Sequence, residues 1–245
     1  MMGLFAETGS HWQREEMMRE WAMTGERHPE TDAGNTLREA LERLLPLVRR
    51  PSRYGGNECN VIRKDWQQAK ARLALLFPDL YEIGMSHQGL QILYQRVNRE
   101  DSFLAERAYV PDVDLEELLG REGLPLFSLE SKRPLAYFDI LGITLPYELC
   151  YTNILTILHL AGLPFRSEDR DGRYPLVIGG GPCAFHPEPV ADFFDAFLLG
   201  DGEEAIIEIL RVVSEQKAAT CSGTWGGCST AVKSSPWVFQ WSMAG

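Results

Sequence analysis

Four glycine-bearing segments hold the residues best suited to contact a small ligand. The first is Pro78-Asp79-Leu80-Tyr81-Glu82-Ile83-Gly84-Met85-Ser86-His87-Gln88-Gly89. A loop that leads into a helix start offers backbone N–H groups to an anion. Gly84 and Gly89 let a flat ligand approach the main chain. His87 reads either as a ligand contact or as a helix-start cap, and Tyr81 either as a contact or as an amphipathic packing residue. The second segment is Leu141-Gly142-Ile143-Thr144-Leu145-Pro146-Tyr147. The Thr144 hydroxyl can donate to a phosphate or an amide, or be satisfied by its own backbone. In the third, Val177-Ile178-Gly179-Gly180-Gly181-Pro182-Cys183, three glycines remove every side chain between backbone and ligand. No Gly-Lys-Ser/Thr follows, so this is not a phosphate P-loop. The fourth is Leu198-Leu199-Gly200-Asp201-Gly202-Glu203-Glu204. Gly200 and Gly202 again allow close approach, and Asp201 and Glu203 can hold a ribose or a metal. Glu203 and Glu204 also suit the first turn of a helix. No Ser-His-Asp or Cys-His set is recognisable as a local motif.

Each of these segments follows a short apolar run, and the runs read as strands. They are Ala71 to Phe77, Phe138 to Leu145, Leu176 to Ile178 and Ala196 to Leu199, with a further short strand at Leu124 to Ser128. Helical spacing of apolar residues marks Thr36 to Arg50, Ser86 to Asn98, Asp112 to Arg121, Tyr147 to Ala161 and Glu203 to Lys217. Asp112 is placed to cap its helix. Gly162 and Pro164 end the helix before them. Apolar strands that alternate with helices predict an α/β fold: a doubly wound, Rossmann-like parallel sheet of flavodoxin type with about five strands, preceded by an N-terminal helical extension. In such a sheet a ligand sits at the carboxyl ends of the strands, which is where the four segments fall.

Composition narrows the function classes. The net charge of -11 disfavours a groove that neutralises nucleic-acid phosphates. No apolar run is long enough to span a membrane, and the N-terminus lacks a secretory pattern, so the expected compartment is the cytoplasm. Five cysteines, Cys59, Cys150, Cys183, Cys221 and Cys228, match no disulfide framework or zinc spacing. The chain divides into a leader and helix (1–50), the α/β domain (51–217) and an irregular end (218–245). Asp and Glu make up 35 of the 245 residues but are absent from Gln216 to Gly245, where Trp225, Trp237 and Trp241 lie among Ser, Gly and Thr. That end reads as frameshifted or spliced, the alternative being an ordinary terminus.

Taken together, PSRYGGNECNVIRKDW from Pro51, FPDLYEIGMSHQGLQILY, FDILGITLPYELCYTNIL and YPLVIGGGPCAFHPEPVADFFDAFLLGDGEEA resemble the amino-terminal region of a family of bacterial radical S-adenosylmethionine (SAM) proteins with a cobalamin-binding-type domain. The resemblance implies a corrinoid as ligand. It places Asp79, Tyr81, Gly84, His87, Gly89, Thr144, Gly179, Gly180, Gly181, Pro182, Gly200, Asp201, Gly202 and Glu203 around the cofactor. Cobalamin domains often carry Asp-x-His-x-x-Gly, whose imidazole ligates cobalt. Here Asp79-x-Tyr81-x-x-Gly84 has Tyr in that place, so the cofactor is expected without a protein imidazole on the metal. In the family a barrel follows that holds a 4Fe-4S cluster on Cys-x-x-x-Cys-x-x-Cys and binds SAM. That triplet does not occur in this sequence. The expectation is a binding half that works with a barrel in a longer parent or in a separate chain. A cofactor-free scaffold of the same fold and a nucleotide-using enzyme are the alternatives.

Overall fold

The computed structural model describes residues 32–219 and 238–239. Five strands run parallel: β1 (Ala71–Phe77), β2 (Phe103–Tyr109), β3 (Ile140–Thr144), β4 (Leu176–Gly180) and β5 (Ala196–Leu198). Their spatial order is β2-β1-β3-β4-β5, the flavodoxin-type winding. A two-residue strand, β6 (Val238–Phe239), pairs antiparallel with β5 at the far edge. It lies in the segment read as irregular. Trp225, Trp237 and Trp241 fall outside the described residues.

The helices are α1 (Asp32–Leu44), the single turn α2 (Tyr81–Gly84), α3 (Gln88–Asn98), α4 (Val113–Glu122), α5 (Tyr151–Leu160) and α6 (Gly202–Ala219). They cover both faces of the sheet. Leu90, Tyr94 and Val97 of α3 and Ile206, Leu210 and Val213 of α6 pack with Leu73, Leu75 and Ile178 on one face. Leu37 and Leu41 of α1, Leu115 and Leu119 of α4 and Ile154 and Leu158 of α5 pack with Leu76, Ile143 and Val177 on the other. Period-two alternation along each strand decides which residue faces which layer. Asp112 caps α4 by accepting from Val113 N at 2.9 Å, and Gly123, at φ 66°, closes it in the left-handed region.

Two corrections to the sequence reading concern the edge of the sheet. Leu124 to Ser128 is not a strand; it forms only an isolated bridge, Phe127 to Pro134. The second strand is instead Phe103–Tyr109, between the helices α3 and α4. Its Glu106-Arg107 pair conceals it, since adjacent charges read as surface. Both are buried. Arg107 Nε lies 2.7 Å from Glu130 Oε1, Arg107 Nη2 lies 2.5 Å from Glu58, and the guanidinium stacks on the Tyr94 ring. Glu106 accepts from the Ser131 hydroxyl at 2.6 Å.

The outward backbone groups of this edge strand are occupied in turn. Lys64 Nζ donates to Phe103 O. Asn98 imitates a neighbouring strand, donating to Ala105 O and accepting from Ala105 N. Glu130 accepts from Arg107 N, and Leu129 N donates to Arg107 O. An edge finished in this way offers no template for another strand. At the amino ends of the strands, Asp139 accepts from Arg72 N and Asp195 accepts from Val177 N. Each is the Asp of a Phe-Asp pair that precedes a strand, and each ties that strand to its neighbour.

Candidate functional site

The carboxyl ends of β1, β3, β4 and β5 surround a cleft of about 200 Å³ between α3 and α6. Its floor is apolar: Leu75, Ile178, Leu198 and Ile206, with Leu90 and Leu93 on the α3 wall. The space exists because small residues occupy one face of the central strands. Gly142, Thr144 and Gly180 share the α3–α6 face, and Thr144 sits in register with Gly180. A glycine in a strand interior leaves no side chain to fill the layer above it. Gly142 and the apolar floor were absent from the sequence-derived site; a glycine inside an apolar strand was the signal that marks such a place.

The glycines differ in what they do. A Cβ on Gly180 would meet nothing nearer than 3.8 Å, so its missing side chain is open cleft. A Cβ on Gly179 would come within 2.8 Å of the Phe197 ring, on the opposite face. Gly179 therefore serves packing, although it borders the cleft. Gly84 is also a packing glycine, pressed against Tyr109 and Phe77. Gly181 and Gly200 have φ of 107° and 89°, a region that glycine enters freely, and shape the turns that leave β4 and β5.

Of the residues singled out from sequence, His87, Gly89, Thr144, Gly179, Gly180 and Gly181 line the cleft. So do Gly200, Asp201, Gly202 and Glu203. Asp79, Tyr81, Gly84 and Pro182 do not line it. Asp79 is turned toward the α5 side, where its carboxylate accepts from the Tyr147 hydroxyl and from Leu80 N. Tyr81 donates its hydroxyl to Glu58 and packs edge-on against Tyr109. Burial, and then the bond to Glu58, push its phenol up to about 12. Pro182 is exposed and opens the 3₁₀ turn Pro182–Phe185.

His87 caps α3: its Nδ1 accepts from Leu90 N at 3.2 Å. Burial lowers its pKa, which favours the neutral ring. With Nδ1 accepting, the neutral ring carries its proton on Nε2. A metal on Nε2 would require that proton to leave while Nδ1 kept its bond. His87 is thus a hydrogen-bond donor, and it does not fit as a cobalt ligand. Among the described residues no group of three His, Cys, Asp or Glu is arranged to hold a metal ion. The side chains here do not fit an iron–sulfur cluster either. The described cysteines, Cys59, Cys150 and Cys183, are free thiols.

The segments that follow the strands also carry exposed apolar side chains, none of which lines the cleft. Ile83 and Met85 follow β1, Val113 follows β2, Leu149 follows β3 and Phe185 follows β4, and all five side chains reach solvent. Leu149 is 91% exposed. No described helix is long and apolar enough to cross a membrane.

An uncharacterised protein of Methanocaldococcus jannaschii is 21% identical over 145 residues, covering 59% of this chain. The match spans 27% of that relative's length. No solved structure matches the chain. Residues 89–226 match the family described as radical SAM proteins, N-terminal. They hold β2 to β5, α6 and the last three strand exits. The chain belongs to the family of N-terminal regions of radical SAM proteins.

Proposed function

We propose that this domain holds a corrinoid for a radical SAM protein, with the flat nucleotide base of the cofactor in the cleft and the corrin over the carboxyl edge of the sheet. The observation that carries the reading is the open slot above Gly180, bordered by Gly142, over an apolar floor. Flat groups bind where side chains are absent and both walls are apolar. Thr144 and the Nε2–H of His87 supply polar contacts at the mouth. A corrinoid held here would receive no protein imidazole on its metal: the motif position holds Tyr81, which bonds Glu58, and His87 is engaged as a cap. The bound corrinoid would supply the cobalt chemistry; this chain's own residues bind it, orient it and keep water from its buried base.

The exposed apolar side chains on the segments after the strands support a partner. An apolar surface of this kind marks an interaction site, and a barrel elsewhere in a longer protein, or in a separate chain, is the partner that the family suggests.

The test is retention of hydroxocobalamin through gel filtration. The chain is expected to keep the corrin colour, and cobinamide, which lacks the nucleotide, is expected to be lost. Gly180→Leu fills the slot from an open position and should abolish retention without unfolding the domain. Equal retention by Gly180→Leu sinks the assignment. A second reading, a scaffold of the same fold without cofactor, is favoured by the engagement of Tyr81 away from the cleft. It predicts loss of colour from the parent chain as well.

A further inference from the structure

We infer that the cleft selects an N-riboside, a flat heteroaromatic base on a ribose, and rejects ionised phosphate at its mouth. This deepens the reading of the cleft as a ligand site and rests on it. A flat base passes over Gly142 and Gly180 onto Leu75, Ile178 and Leu198. The group attached to that base then meets the mouth between His87 and the start of α6.

The charges there have one sign. Asp201 and Glu203 line the mouth, and Glu204 follows in the same turn of α6. Among the described residues that line the cleft there is no Lys or Arg. His87 is held toward its neutral form by burial. The first turn of a long helix attracts anions, but at α6 the acidic side chains already complement the helix dipole. A phosphate dianion placed here meets like charge without a counter-cation. The two hydroxyls of a ribose are donors, and a carboxylate is an acceptor with two oxygens. Asp201 and Glu203 therefore match the sugar of a nucleoside and repel its 5′-phosphate.

Equilibrium dialysis of the 245-residue chain against labelled adenosine, AMP and ATP tests this, with hydroxocobalamin in parallel. Adenosine is expected to bind, and AMP to bind at least about tenfold more weakly because of like-charge repulsion. The double variant Asp201→Asn, Glu203→Gln should narrow that gap to about threefold or less. Asp201 is exposed, and circular dichroism of the variant checks that the fold is kept. AMP binding as tightly as adenosine would overturn the selectivity while the ligand site stands. Retention of hydroxocobalamin with no adenosine bound would likewise overturn the nucleoside inference alone. Failure of every ligand to bind would remove both this inference and the proposed function.

Discussion

At the residue scale, neighbouring glycines carry different loads. Gly179→Ala drives a Cβ against Phe197 and Leu145, and overpacking of that kind costs about 1–3 kcal/mol. Gly180→Ala has open space above it, so its stability should stay within about 0.5 kcal/mol of the parent. Chemical denaturation of the two variants should separate them; equal losses would contradict the face assignment. His87 offers a second residue-scale test. Its folded pKa lies below the unfolded value of 6.5. As pH falls through that value, the unfolded chain takes up the proton first, so stability is full above pH 6.5 and declines below it. His87→Ala should lose about 1 kcal/mol of capping at neutral pH and should also lose that part of the pH slope. Denaturation midpoints measured on either side of pH 6.5 check both statements.

At the element scale, β2 depends on its charges. Arg107 lies between Glu58 and Glu130 and is completely buried. Arg107→Met leaves two carboxylates without their cation, and breaking a buried pair in this way costs about 3–5 kcal/mol. Replacing Glu130 by Leu in the same chain should recover part of the loss, because the uncompensated buried charge goes with it. Burial already pushes Glu130 up to about 7, against the pull of Arg107. A carboxyl raised in the folded state contributes stability that is full below its unfolded pKa and is lost as pH rises through the folded one. The Arg107→Met chain should therefore be closer to the parent at pH 5 than at pH 8. A loss independent of pH would show that packing against Tyr94, not charge, is what Arg107 supplies.

At the scale of the whole molecule, the family match begins inside α3, at residue 89, yet the sheet is built around β1, which pairs with β2 on one side and β3 on the other. A chain that starts at residue 89 lacks the strand that joins its two halves. It is expected to be unfolded by circular dichroism, whereas a chain that starts at residue 32 is expected to unfold in a single transition. The segment before β1 belongs to the same cooperative unit. Lys132 donates to the carbonyls of Tyr54, Gly55 and Leu129. Arg63 bonds Gly56 O and Glu130 O. Gly56 lies where a Cβ would strike Leu129 O at 2.0 Å. Lys132→Met should make the Gly55-Gly56 loop the first site of limited proteolysis. If cleavage there were no faster than in the parent, Lys132 would not be the latch.

The sequence by itself determined the α/β class, the main helices and the four exits, because apolar periodicity, an Asp cap and glycine punctuation are local signals. Ala71 to Phe77 is apolar apart from Arg72 and is legible as a strand without any partner. The three consecutive glycines after Val177-Ile178 mark a strand exit on their own. Only the tertiary structure decided the rest. Phe103–Tyr109 becomes a strand because Glu58 and Glu130, distant in the chain, neutralise Arg107. Gly179 and Gly180 are identical in sequence, but the pleat sends one toward Phe197 and the other into the cleft. The motif resemblance places Tyr81 at the ligand, but its hydroxyl bonds Glu58 and it does not line the cleft. In each case the outcome depends on which side of a sheet, or which distant partner, a side chain meets, and that is set by packing.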